Sequence, residues 1–320
     1  MKLTESQIIE LLNEEFPIFQ NADTKVVKQF NSFGEKVANA FLLTSNSPGF
    51  ERFVAKGYGL KPSGLQTEHL ALQFLEEKNF HSPKLLIPDH KPHNLLLMEY
   101  IDGENAEEVL KKGDKSAELF YQIGEVVGKL HTFPYDSIGP LSEKSTKSWE
   151  KFQSQKFLEK KEELYSLLDP ELYKEMSRLV DSSIPLLKED QNPTVFIHRD
   201  IYLSNFVLST NNNLYLLDFA MTSGGKALYE LAKFYIIDLY DKPQFLGEFL
   251  KGYKVSQKFP DNFKELMKMY LLRESLGVIV YADQTHQQDF KVRGMNVLRE
   301  LIADKGKIID LLNDSLAFAS

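Results

Sequence analysis

The texture of the chain changes at Asp102-Gly103, and a fold built from one kind of secondary structure cannot satisfy both sides of that point. Before it, Lys25 to Phe30, Ala38 to Thr44 and Phe53 to Gly57 are short segments with β-branched or aromatic residues. They are broken by Asn31-Ser32-Phe33-Gly34 and by Asn46-Ser47-Pro48-Gly49. Such runs between turn-forming clusters predict an antiparallel meander. A helix is predicted from about Gly64 to Lys78, and Lys84 to Pro88 and Asn94 to Tyr100 read as two more strands. The second of these carries Leu95, Leu96, Leu97 and Met98 in succession, the pattern of a strand buried on both faces and therefore central. After Gly103 the spacing becomes helical. Leu119, Ile123, Val127 and Leu130 form one apolar stripe over Ser116 to His131, and Gly124 and Gly128 predict close helix packing on the same element. Residues 145 to 189 also read as helical. Thr194 to Ile197, Phe206 to Leu208 and Leu214 to Leu217 form a small β insertion, after which helical periodicity resumes.

The chain has 320 residues, 42% of them hydrophobic and 26% charged, which suffices for a sizeable core and excludes a disordered or collagen-like chain. Its formal charge of -8 opposes broad binding to a phosphate backbone, so no nucleic-acid partner is expected. There is no cysteine, which removes disulfides, thiolate metal sites and a cysteine nucleophile, and suits a cytoplasmic location. The first sixteen residues lack the basic start and unbroken apolar run of a secretion signal, and Thr4 and Gln7 have the spacing of a helix capping box. No membrane span is expected either.

The most informative stretch is His198-Arg199-Asp200-Ile201-Tyr202-Leu203-Ser204-Asn205, followed by a hairpin and Asp218-Phe219-Ala220. It fits the pattern H-R-D-x-x-x-x-N with a later D-F-G-like aspartate. A loop between two buried strands projects Asp200 toward an acceptor hydroxyl as catalytic base, while Asn205 and Asp218 offer hard oxygen ligands to magnesium. Asp218 ends an apolar strand, where a carboxylate without a counter-charge is costly to bury. Lys56 lies in Phe53-Val54-Ala55-Lys56, similar to the V-A-I-K strand whose lysine neutralises nucleotide phosphate. Glu68 shares a helical stripe with Leu65, Leu72 and Leu75, so it needs a buried cation, and Lys56 is the natural one.

Together these parts resemble the aminoglycoside phosphotransferase and choline kinase superfamily, small-molecule kinases with a protein-kinase-like fold. The resemblance runs through Lys56, Glu68, Leu96-Leu97-Met98-Glu99-Tyr100-Ile101, Leu130-His131, the loop at 198–205, Asp218 and Tyr229-Glu230-Leu231-Ala232. It implies an α+β bilobal fold: a β-rich nucleotide-binding lobe with one helix over 1–98, a hinge at 99–103, and a larger, mainly helical catalytic and substrate-binding lobe over 104–320. It also implies ATP or GTP, two magnesium ions and transfer to a hydroxyl of a small molecule. The main-chain groups of Glu99 and Ile101 would pair with the adenine edge, and Met98 would border the base. Ser32, Gly34 and Lys36 would cradle phosphate in place of a G-x-G-x-x-G loop. Arg199 stands where many small-molecule members have glycine, and Ala220 replaces the glycine of D-F-G, removing easy access to positive φ. These departures motivate a second reading, a nucleotide-binding pseudokinase without turnover. The short stretch after Asp218 argues against a protein substrate.

Overall fold

A computed structural model describes residues 4–30, 39–57, 62–87, 95–113, 115–143, 145, 147–306, 308 and 310. In chain order they form α1 (Glu5–Glu15), β1 (Lys25–Phe30), β2 (Asn39–Thr44), β3 (Arg52–Gly57), α2 (Pro62–Glu77), β4 (Leu95–Glu99), β5 (Gly103–Asn105), α3 (Ala106–Lys112) and α4 (Ser116–Leu130). Then come β6 (Gly139–Pro140), α5 (Trp149–Leu164), α6 (Pro170–Ser183), β7 (Val195–Ile197), β8 (Phe206–Ser209), β9 (Leu214–Leu216) and β10 (Ser223–Gly225). Helices α7 (Ala227–Phe234), α8 (Leu246–Lys254), α9 (Phe263–Gln284) and α10 (Gln288–Ala303) follow. The chain divides into two compact units, Met1–Glu104 with Phe206–Thr222, and Asn105–Asn205 with Ser223–Ser320.

In the first unit α1 starts on the predicted capping box, with Gln7 N–H donating to Thr4 Oγ1 at 3.3 Å and Thr4 N–H to Gln7 Oε1 at 2.9 Å. The antiparallel sheet runs β1-β2-β3-β4. Its register sets Phe41, Ala55 and Leu97 side by side. Because strand side chains alternate, these residues share one face with Leu43, Phe53 and Leu95, and that face packs on Ile8, Leu12, Phe16 and Phe19. Phe19 stacks on Phe53 at 5.4 Å, so Phe53→Ala would open a cavity costing about 3–5 kcal/mol. Lys56 has the opposite parity and lies on the other face.

Strand β4 is at the end of this sheet rather than in its middle. Its apolar run reflects cover from another source: of the expected strand Lys84 to Pro88, the described residues 84–87 form an isolated bridge, Leu85 to Met98, and Pro88 lies outside the described residues. Leu86 N–H donates to Leu97 O at 2.9 Å and Glu99 N–H to Lys84 O at 2.8 Å. Among the described residues the edge is thus protected by these contacts rather than by a further full strand.

The β insertion also divides differently from expectation. Strands β8 and β9 pair as a hairpin and join β5 in a three-stranded sheet, whereas β7 pairs with β10 and β6 in another. Residues 206–222 thereby return to the first unit, although the expected boundary left everything after 103 in the second lobe. The cause is local. Gly103 lets its backbone press on Leu208, where a Cβ would collide with the carbonyl; Thr210 N–H donates to Asp102 O at 3.1 Å and Leu216 N–H to His81 O at 3.0 Å.

In the second unit the glycines of α4 meet α8 directly: a Cβ at Gly124 would strike the Phe249 carbonyl, and one at Gly128 would lie 2.7 Å from Tyr253 O. This is the close packing that their spacing predicts. Helix α7 runs on into a π-helical turn, Tyr235–Leu239, which no periodicity in the sequence announces. Among the described residues no helix is long and apolar enough to cross a membrane.

Candidate active site

In the first unit three charged side chains meet at Lys56. Lys56 Nζ lies 2.8 Å from Glu68 Oε2 and 2.7 Å from Asp218 Oδ1, so one lysine binds two carboxylates contributed by α2 and by the end of the β8–β9 hairpin. Strand parity carries Lys56 to the face away from the α1 core, and the stripe Leu65, Glu68, Leu72, Leu75 is buried as predicted. Glu68 also accepts the Phe219 N–H at 3.1 Å. Burial pushes the Glu68 carboxyl up to about 7 against the pull of Lys56. Burial draws the Lys56 ammonium down, but Asp218 and Glu68 outweigh it and its pKa stands raised. Asp218, with φ +63, has its side chain 43% exposed, so it carries the open end of this chain of charges. Ala220 sits in the 3₁₀ turn Phe219–Met221 and has no positive φ. The left-handed residue is Asp218 itself, which is why alanine fits where glycine was expected to matter.

The second unit holds the loop from His198 to Asn205. Its main chain is tied to α7: Glu230 accepts the N–H groups of His198 (3.0 Å) and Arg199. Glu230 also contacts His131 Nε2 at 2.9 Å, and His131 Nδ1 reaches Tyr253 Oη at 2.9 Å. Burial raises the Glu230 pKa, but hydrogen bonds and the histidines outweigh it, leaving it below the usual carboxylate range. Asp200 N–H donates to His198 Nδ1 at 3.2 Å, and the Asn205 amide donates to Asp200 O at 2.7 Å. The next turn is held by Leu203 N–H to Asp238 at 3.1 Å and by Asn105, which donates to Ser204 O at 2.6 Å while capping α3.

Of the other residues singled out in the sequence, Met98 is buried, and the N–H of Glu99, expected to face a base, donates instead to Lys84 O at 2.8 Å. Ser32, Gly34 and Lys36 lie outside the described residues. Sequence reasoning missed Lys233, which donates to Arg199 O at 2.6 Å and to Asp200 Oδ1 at 3.1 Å. It stands one residue beyond Tyr229-Glu230-Leu231-Ala232 and was hidden because its partners lie more than thirty positions upstream.

The sequence profile of the phosphotransferase enzyme family matches residues 30–265. No curated protein matches the chain in sequence. Solved structures do match in fold. A thermostable mutant of the aminoglycoside phosphotransferase APH(4)-Ia, in a ternary complex with AMP-PNP and hygromycin B, has a TM-score of 0.68 at 13% identity over 92% of this chain and 98% of that one. The GDP complex of aminoglycoside 2'-phosphotransferase-IIIa has a TM-score of 0.65 at 16% identity over 94% and 99%. Choline kinase from Cryptosporidium parvum has a TM-score of 0.64 at 16% identity over 99% and 100%. The fold is therefore that of protein-kinase-like phosphotransferases, and because the profile spans well over half of its length, the chain belongs to the phosphotransferase enzyme family.

Proposed function

We propose that the protein is a small-molecule kinase that moves the γ-phosphoryl group of ATP, or of GTP, to a hydroxyl of its acceptor. The observation that carries this reading is Lys56 bound at once to Glu68 and Asp218, with lysine and aspartate 162 positions apart. A lysine for nucleotide phosphates, a helix glutamate that orients it and a metal-binding aspartate are the parts that phosphoryl transfer requires. The AMP-PNP and GDP in the two structural neighbours support a nucleotide donor. Hygromycin B in one neighbour and the choline kinase fold of another support a hydroxyl-bearing small molecule as acceptor. The stretch from Asp218 to α7 at Ala227 is too short to offer a polypeptide a docking segment.

In this reading Lys56 binds nucleotide phosphate, Glu68 orients it, and Met98, Glu99 and Ile101 hold the base. Ser32, Gly34 and Lys36 are assigned to the phosphates on sequence grounds alone. Asn205 and Asp218 are the magnesium ligands, and the donor set suits that ion. Both offer oxygen, the Asn205 amide nitrogen is spent on Asp200 O, which leaves Oδ1 as its ligand atom, and the Asp218 carboxylate is partly open. Magnesium supplies charge neutralisation at the phosphate oxygens when bound with the nucleotide. Asp200 receives the acceptor hydroxyl by hydrogen bond. The hydroxyl oxygen forms a bond to Pγ, the bond from Pγ to the bridging oxygen breaks, the electron pair leaves with the nucleoside diphosphate, and the hydroxyl proton passes to the Asp200 carboxylate. Most of the acceleration comes from positioning and charge, because a loose phosphoryl transition state needs little covalent help. The cysteine-free composition suits the reducing cytoplasm as the place of this reaction.

The test is magnesium-dependent ATP and GTP consumption by the full chain against a panel of hydroxyl-bearing amines, sugars and aminoglycosides. Turnover with at least one acceptor, reduced about 10²- to 10⁴-fold by Asp200→Ala, supports the kinase. Nucleotide binding with no turnover across the panel supports the sensor reading instead.

A further inference from the structure

We infer that Lys233 is a positioning residue for the transfer: together with Glu230, one turn earlier on α7, it grips both sides of Arg199 and fixes the carboxylate of Asp200. The inference rests on the function proposed above and adds a residue to it.

Arg199 has φ +66, a left-handed conformation that a residue with a Cβ disfavours. Its peptide groups are held on both sides from one face of α7. Glu230 accepts its N–H, and the Lys233 ammonium donates to its carbonyl at 2.6 Å. Residues three apart on a helix share a face, so a carboxylate and an ammonium at 230 and 233 suit the donor and the acceptor of one peptide residue. The main chain of Asp200 is secured within the loop, by His198 Nδ1 on its N–H and by Asn205 on its carbonyl. Its carboxylate is secured from α7, through Lys233 Nζ at 3.1 Å from Oδ1.

The ammonium has its own support. Its nitrogen lies 4.9 Å from the centre of the Tyr202 ring, two residues beyond Asp200. Burial draws its pKa down, but Tyr202, Asp200 and Glu274 more than compensate, so Lys233 stays charged. A charged ammonium in contact with one carboxylate oxygen aims that carboxylate, which is what a loose transition state asks of the loop. Without Lys233 the Asp200 side chain is free to exchange among staggered rotamers, only some of which face the acceptor.

The experiment uses the full chain with ATP, magnesium and the acceptor found by the panel, or water if hydrolysis is measurable. Lys233→Met should lower kcat about 100-fold and leave the nucleotide KM within about twofold. The natural chain has no cysteine, so 2-bromoethylamine applied to Lys233→Cys alkylates that thiol and returns an ammonium at nearly the same reach. Recovery of about a tenth or more of wild-type kcat on alkylation supports positioning by this charge. Wild-type kcat in Lys233→Met, a loss confined to KM, or no recovery after alkylation of a protein with native Trp149 fluorescence overturns it. If the wild type consumes no nucleotide, the functional reading fails separately, and the grip is read from amide exchange. Exchange at Arg199 and Asp200 about tenfold faster in Lys233→Met upholds the grip, and unchanged exchange refutes it.

Discussion

Glu68 and Glu230 are both 1% exposed, yet the first is pushed up to about 7 and the second is held below the ordinary carboxylate range. Glu68 shares its lysine with Asp218 and receives one main-chain N–H. Glu230 receives two main-chain N–H groups and the His131 ring, and among the described residues no second carboxylate shares them. Burial is common to both, so the number of donors and the presence of a rival anion decide the charge. The first unit thus holds an ion cluster whose charge can be redistributed, whereas the second holds a carboxylate locked into a scaffold.

The sharpest way to break this contrast is catalytic. Lys56→Met and Asp218→Asn should each lower nucleotide turnover about 10³-fold with the fold intact by circular dichroism, because the proposed reaction sets the nucleotide phosphates against this cluster. Loss of both activity and fold would put that cluster in the same structural class as Glu230. Glu230→Ala should instead act on stability, by about 3–5 kcal/mol, since it strips the loop at 198–199 and His131 of a buried partner. Glu68→Ala leaves Lys56 still paired with Asp218 and should cost about 1–3 kcal/mol; equal losses in urea unfolding would erase the distinction.

A third comparison is in pH. The folded pKa of Glu68, about 7, lies above its ordinary 4.5, so its contribution to stability is full below 4.5 and fades as pH rises through about 7. For Glu230 the folded pKa lies below 4.5, so its contribution is full above 4.5 and fades as pH falls through the folded value. Amide exchange in β3 should therefore respond to Glu68→Gln on the neutral side. Fluorescence of Trp149, the single tryptophan, should report the effect of Glu230→Gln on the acid side. Parallel pH slopes for the two variants would contradict the assignment. The smallest effect belongs to Ala220→Gly, predicted to destabilise by about 0.4–1 kcal/mol with kcat unchanged, because the position needs no positive φ.

Much of the first unit was legible because its signals are local. The β1 segment Lys25–Phe30, the Thr4–Gln7 cap and the Glu68 stripe need only a few neighbouring residues to be read. Lys56 and Asp218 were each recognisable because each stands in a compact motif, although 162 positions separate them and their direct contact was not foreseen. The network His131–Glu230–Tyr253 and the grip of Lys233 were not legible as physics, since no motif links 131 to 253 or 199 to 233. Strand β4 misled because the contacts of residues 84–86 along its edge leave the same apolar signature as cover by a neighbouring strand. The Gly124 and Gly128 spacing succeeded because small residues carry one dominant meaning in a polar-flanked helix.

The return of residues 206–222 to the first unit has a consequence for biosynthesis. A nascent chain that has emerged only as far as β5 lacks both the hairpin that completes that strand's sheet and the aspartate that shares the lysine. The amino-terminal part therefore completes its fold only after about a hundred further residues are made, an interval in which the edge of β5 has no strand to pair with.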